Sequence, residues 1–347
     1  MKFGLFTSAQ ASSGDLGPET GQGFRDYLDF NVEAEALGFQ SSFLVEHHFT
    51  GWNQVSSTLM LLTALAMRTK TLRLGSAVMV LPWHNPVLLA EQAATLDLIS
   101  DGRLDLGIGK GYRHSEFKGF QIAPAEAEAR FDESVEVMIR AWTERRRFSH
   151  HGRFWRFEDI VVEPPPAQRP HPPLWVAAGS EASIRRAAAR GFNLILDQYA
   201  GPQQIAERIN VYKAACKAHG RSFDSMRVAV ARQLYVAEGE ADKQAALARQ
   251  AAYTKRTVEV SRAPGSGGGE NKTGSHVLAY ADEPGGTEAH ALYGTPDEIG
   301  AKLKSLQQAG VQYVLLTIAG GIAQLHRTAR EIMPAFSGGA SVAHAAE

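Results

Sequence analysis

Apolar positions along the chain follow two rhythms. Short continuous runs of apolar and β-branched residues, the mark of strands buried on both faces, alternate with longer stretches where apolar residues return every three or four positions, as on one face of a helix. The strand-like runs are KFGLFTS (2–8), SSFLVEHH (41–48), LRLGSAVMV (72–80), LDLGIGKG (104–111), LWVAAGS (174–180), NLILDQ (193–198), RVAVARQLYV (227–236) and YVLLTIA (313–319). Helical spacing fills residues 23–37, 56–68, 86–99, 126–146, 182–190, 202–219, 240–260 and 296–309. Eight strands alternating with helices predict an α/β fold of the (β/α)8 TIM-barrel type, one domain over residues 1–336 with a flexible tail at 337–347.

A minimal barrel needs about 250 residues, so a chain of 347 carries insertions. One falls at 147–173, where aromatics and prolines predict an extra hairpin and a rigid lead into the fifth strand. The other, 261–292, is too rich in glycine and small polar residues to pack a core of its own, and is read as a mobile lid before the last βα unit. Residues 56–67 (SSTLMLLTALAM) and 85–100 (NPVLLAEQAATLDLIS) are apolar on more than one helical face. An outer-ring helix shows water a polar stripe, so these predict a second buried face and a homodimer.

Composition narrows the partners. Lysine plus arginine (36) nearly balance aspartate plus glutamate (37), which argues against a nucleic-acid surface or an anionic membrane and for a small-molecule partner. The single cysteine, Cys216, excludes an internal disulfide framework and fits a reducing compartment. MKFGLFTS enters a strand without a signal-peptide core, and no stretch approaches a membrane span, so the expected location is cytoplasmic.

In such a barrel, chemistry belongs at the carboxyl ends of the strands. The second strand ends in Glu46, His47 and His48, and strand alternation places Glu46 and His48 on one face and His47 on the other. Other strand ends contribute Trp83 and His84; Lys110, Tyr112, Arg113 and His114; Gly179, Ser180 and Ser183; and Asp197 and Gln198. The run AAGSEAS leads from a strand into a helix and offers hydroxyls and free backbone N–H groups to an anion such as phosphate, with Arg130 a candidate cation. There is no Gly-x-Ser-x-Gly elbow and no complete dinucleotide fingerprint, which argues against covalent hydrolysis. Trp83, Phe117, Phe120, Trp155 and Tyr199 are candidate linings of an apolar substrate pocket.

FLVEHHF, LRLGSAVMVLP followed by NPVLLAEQAATLDLISDGRLDLGIGKGY, ARFDESVEV, LWVAAGS, LYGTPDEI and GVQYVLL, in that order from Met1 to about Pro334, resemble the bacterial luciferase-like flavin monooxygenases. The resemblance implies a barrel that binds reduced FMN (FMNH2), lets O2 add at the flavin C4a atom and shields the (hydro)peroxide while it oxygenates a small organic substrate. It implies that Glu46 lies near the flavin, that His47 is the catalytic histidine beside the ring, and that His48 supports it catalytically by hydrogen bonding. Ala77 and Val78 correspond to a non-proline cis peptide against the isoalloxazine; Gly109, Lys110 and Tyr112 to the loop after the fourth strand; Arg130 and Val176, Ala177, Ala178, Gly179 and Ser180 to the phosphate and ribityl contacts. Light-emitting relatives carry cysteine and arginine where this chain has Gly109 and Lys110, which argues against luminescence. A separate NAD(P)H:flavin reductase is the implied source of FMNH2.

Three rival readings remain at this level. A sister group on the same barrel transfers hydride with a deazaflavin. A metal-dependent hydrolase would use His47, His48, His84 or His114 as ligands, although their spacing matches no ligand pattern. A non-catalytic flavin-binding subunit is the third.

Overall fold

The computed structural model describes residues 1–11, 20–262, 278 and 289–336. Eight strands form one parallel barrel: β1 (Lys2–Thr7), β2 (Ser41–Leu44), β3 (Arg73–Ser76), β4 (Leu104–Gly109), β5 (Leu174–Ala177), β6 (Asn193–Leu196), β7 (Val228–Val236) and β8 (Tyr313–Ile318). Each pairs with the next in sequence, and β8 closes on β1 in the register Lys2↔Tyr313 to Leu5↔Leu316. This is the predicted (β/α)8 architecture.

Helices start where the sequence supplies caps. Asn85 accepts from the Val87 and Leu88 N–H groups ahead of Pro86–Ile99, with proline at the first helical position. Thr295 and Glu298 form a reciprocal capping box at the head of Pro296–Gln308. Gly191, at φ 75°, ends Glu181–Arg190 in the left-handed conformation that glycine adopts without steric cost. Inside the barrel, Phe43, Trp175, Ile195, Ala229, Tyr313 and Leu315 fill the lumen. Phe43 lies edge-on to Trp175 at 5.5 Å between centroids, and its ring occupies the space that a Cβ on Gly75 would need.

Most strands end earlier than the sequence reading, among them β4 at Gly109, β5 at Ala177 and β6 at Leu196, and two of these departures shape the site. β2 stops at Leu44 rather than His48, because beyond it the His47 N–H bonds the Val55 carbonyl at 2.9 Å instead of a neighbouring strand. β3 stops at Ser76 and resumes as Met79–Val80 after a cis Ala77–Val78 peptide.

An antiparallel hairpin, Phe148–His151 with Arg156–Ile160, occupies the first expected insertion. At the end of the second, the short strand Leu292–Gly294 extends the sheet beside β7. The expected lid otherwise falls on residues 263–277 and 279–288, and the tail on 337–347; these lie outside the described residues. Among the described residues no helix is long and apolar enough to cross a membrane.

Candidate active site

At the carboxyl ends of the strands the barrel opens into a cavity of about 330 Å³, a size suited to a small organic ligand. Its floor is small or backbone-like: Ala77 and Val78 after β3, Gly109 at the end of β4, Ala177 and Ala178 at the end of β5, and Ala231 in β7. A Cβ on Gly109 would strike the Val78 Cγ2 methyl, so glycine is what lets these two strand ends meet. The roof is Glu240–Ser261, whose Tyr253, Thr254 and Thr257 line the cavity. Tyr253 lies tilted against Trp52 at 5.3 Å between ring centroids, and its hydroxyl accepts from Asn53 Nδ2 at 3.2 Å.

Glu46 is a buried hub, 1% exposed. Its Oε1 accepts from His48 Nε2 at 2.9 Å, His84 Nε2 at 2.7 Å and Trp83 Nε1 at 3.1 Å, and its Oε2 from the Val80 N–H at 2.7 Å. Burial alone would raise its pKa. The hydrogen bonds from His48 and His84, the charge of His84 and the Val80 amide outweigh that and hold the carboxyl at about 2. The carboxylate thereby ties the post-β2 loop to the segment after the cis peptide.

His47 points the other way. Its Nδ1 meets Glu116 Oε1 at 3.0 Å, and the same oxygen accepts the His48 N–H at 3.0 Å. Burial lowers the His47 pKa; the Glu116 hydrogen bond opposes this, and the nearby Arg113 charge reinforces it. The imidazole is therefore neutral at neutral pH. With Nδ1–H donated to the carboxylate, Nε2 is the nitrogen left for the cavity that His47 lines, the arrangement of an oriented general base.

Of the residues singled out from sequence, Glu46, His47, Ala77, Val78, Lys110, Tyr112, Ala177 and Ala178 line this cavity together with Gly109. Val176 lines a smaller adjoining cavity of about 100 Å³, which shares Gly109, Lys110, Ala177 and Ala178 with the first. His48 lines neither, being packed against Phe120 at 4.9 Å behind Glu46. Gly179 and Ser180 also stand back. Ser180 caps Glu181–Arg190, accepting from the Ser183 N–H at 3.3 Å. Arg130 is turned aside: it pairs with Glu126 at 2.9 Å and covers the Phe154 ring at 4.4 Å. Among the expected aromatic residues Tyr199 lines the cavity, whereas Trp83 stacks on Phe120, Phe117 lies against Trp83, and Trp155 stacks on Phe157 in the hairpin.

The smaller cavity has the donors an anion needs. Ser183, Lys110 and Arg186 face it near the start of Glu181–Arg190. Lys110 and Arg186 both pair with Glu128, the former at 3.5 Å. These are half-exposed pairs, which contribute little to stability and exchange readily for a better anion. Arg186 has a signal in the sequence, lying one helical turn from Ser183 and hence on the same face.

The larger cavity meets the demands of a flavin ring. Gln198 and Gln233 line it, and each carries a buried amide oxygen with no hydrogen-bond partner among the described residues, suited to a ring N–H. Gln233 could have been found as a polar residue in the otherwise apolar RVAVARQLYV run. Glu116 had no such signal, because its one-turn helix His114–Gly119 follows no long periodic pattern.

A family model described as luciferase-like monooxygenase matches residues 1–313. The oxygenase component of a flavin-dependent trigonelline monooxygenase from Acinetobacter baylyi is 26% identical across 97% of this chain and 96% of its own. The crystal structure of monooxygenase RslO1 from Streptomyces bottropensis superposes with a TM-score of 0.80 at 29% identity, covering 97% of this chain and 100% of that one. Two relatives match over shorter spans. An F420-dependent glucose-6-phosphate dehydrogenase from Intrasporangium calvum is 32% identical over 58% of this chain and 60% of its own. An uncharacterized protein from Sinorhizobium fredii is 30% identical over 63% of this chain, which spans 62% of that protein.

Proposed function

The chain belongs to the luciferase-like monooxygenase family, and from that premise we propose that this flavin-dependent oxidoreductase uses reduced FMN and O2 to oxygenate a small organic substrate. The observation that carries the reading is the His47–Glu116 pair on the wall of a cavity floored by Ala77, Val78 and Gly109. Ala77, Val78, Gly109, Gln198 and Gln233 would hold the ring; Lys110, Ser183 and Arg186 would take the phosphate in place of Glu128. Bound in that way, the reduced flavin supplies the electrons that activate oxygen. His47 accepts and returns a proton at Nε2, Glu116 holds its tautomer, Glu46 fixes the loop behind it, and the Tyr253 roof excludes water. We place Ser180, through its cap on Ser183, and His48, through Glu46, as supports of these groups. Arg130 and Gly179 receive no direct contact in this reading.

A flavin reductase supplies FMNH2 in this scheme, the chains pair as a homodimer, and the lone cysteine agrees with a cytoplasmic setting. The test is a substrate screen with FMN, NADH, a generic flavin reductase and O2, scored by gain of one oxygen atom in mass. Product formed only with reduced FMN and O2 supports the reading. Consumption of reduced F420 without oxygen would assign the chain to deazaflavin hydride transfer, the activity named for the Intrasporangium relative. Tight FMN binding with no turnover across the screen would make it a flavin-binding subunit.

A further inference from the structure

Arg113 sits in the wall of the main cavity with its side chain wholly buried, 0% exposed. No described residue accepts a hydrogen bond from its Nε or Nη1. The nearest carboxylate oxygen, Glu116 Oε1, is 4.0 Å from Nη1 and already accepts from His47 and from the His48 amide. The Tyr112 ring, 5.9 Å away, offers a weak cation–π contact. A guanidinium removed from water with two of its three nitrogens unsatisfied and only a long contact to a shared carboxylate is costly to bury, and a ligand that accepts from those nitrogens would complete it.

The other charged groups of the cavity are engaged. Asp197 pairs with Arg208 at 2.6 Å, Lys110 with Glu128, and Glu46 is saturated by its four donors. The unsatisfied charge in the wall is thus positive, planar and forked, the complement of a carboxylate. The surrounding lining is largely apolar or small, which fits a compact hydrocarbon body.

We propose that Arg113 anchors a carboxylate of the organic substrate, and that the enzyme accordingly acts on carboxylate-bearing molecules rather than neutral ones. This rests on reading the cavity as the site shared by flavin and substrate. Arg113 contacts substrate here, whereas His47 handles the proton.

The test uses FMN-loaded wild type, Arg113→Met and Arg113→Lys, each also without FMN. Isothermal titration calorimetry compares benzoate with benzamide, cyclohexanecarboxylate with its amide, and hexanoate with hexanamide. Wild type should bind at least one acid about ten-fold or more tighter than its amide, as expected for a charge-assisted hydrogen bond. Arg113→Met should lose that preference, Arg113→Lys should recover part of it, and both should bind FMN as wild type does. Benzoate should also raise the melting temperature of wild type but not of Arg113→Met.

Equal affinity for acids and amides in wild type, or an acid preference that survives in Arg113→Met, overturns the proposal. So does loss of FMN binding in Arg113→Met, which would give the guanidinium to the cofactor. An Arg113-dependent acid preference in a protein that neither binds FMN nor consumes O2 would sink the monooxygenase reading and leave the anchor standing. FMN- and O2-dependent turnover without any acid preference would do the reverse.

Discussion

In its proposed role as a base His47 must be neutral, and burial together with the Arg113 charge favours that form. Its pKa lies below the ordinary 6.5, so kcat/KM should rise with pH through a limb below that value and be flat at neutrality. In Glu116→Gln the carboxylate that holds the pKa up is gone, so the limb should move to still lower pH while turnover falls; a limb that stays put would deny Glu116 its positioning role. His47→Ala should lose about 100-fold or more in turnover with FMN affinity unchanged in a flavin titration. Unaltered turnover would remove His47 from catalysis. Glu46 makes a different prediction, about stability. Its carboxyl is held at about 2 against an ordinary 4.5, a difference worth about 3 kcal/mol of folding free energy. A depressed carboxyl pKa stabilises the fold above the unfolded value, so this contribution is complete above pH 4.5 and is lost as pH falls towards 2. Urea unfolding at about pH 5 and about pH 3 should show a steeper loss in wild type than in Glu46→Gln. At this scale the sequence located Glu46 and His47, because an acidic and imidazole cluster after an apolar run stands out. It did not locate Glu116 or the true environment of Arg130, because side-chain partners set by long-range packing leave no local pattern; Arg186 was overlooked although its one-turn spacing from Ser183 was there to read.

The strands were legible because both faces are buried, which writes each as an unbroken apolar run, and the helices because caps such as Asn85–Pro86 and Thr295–Pro296 mark their starts. The strand ends were not. Val45 continues the apolar pattern after β2 has ended, and Ala77–Val78 interrupts the ladder between Ser76 and Met79 without interrupting the apolar run, since burial does not follow the ladder residue by residue. It is at such ends that an element-scale change should register. Gly109→Ala pushes a methyl into Val78, so we expect weaker FMN binding, by about ten-fold, with a modest drop in melting temperature typical of overpacking. An unchanged FMN titration would show that Val78 can yield freely. The roof helix makes a separate prediction. Tyr253→Ala removes the ring that packs against Trp52 and lines the cavity roof, so oxygen consumed per product formed should increase while the helix itself remains folded.

Over the whole molecule, the helices Thr58–Ala66 and Pro86–Ile99 pack side by side on the outside of the barrel, yet they leave Met60 74%, Met67 73% and Leu88 53% exposed, with Leu98 and Ile99 beyond them. A monomer seldom leaves so much adjoining apolar surface to water. These helices directly follow the strands whose ends carry Glu46, His47 and the Ala77–Val78 peptide, so whatever covers them also stiffens the loops that build the site. A second copy of the chain is the occupant we expect, consistent with a chain of nearly balanced charge whose apolar face can meet itself about a two-fold axis. Light scattering should give a mass near twice 37.7 kDa, and Met60→Lys combined with Leu88→Glu should halve it. If dimerisation serves the site, the separated chains should also hold FMN more weakly, whereas His47→Ala should remain a dimer; a wild-type protein that runs as a single chain at every concentration would leave the exposed methionines to another partner.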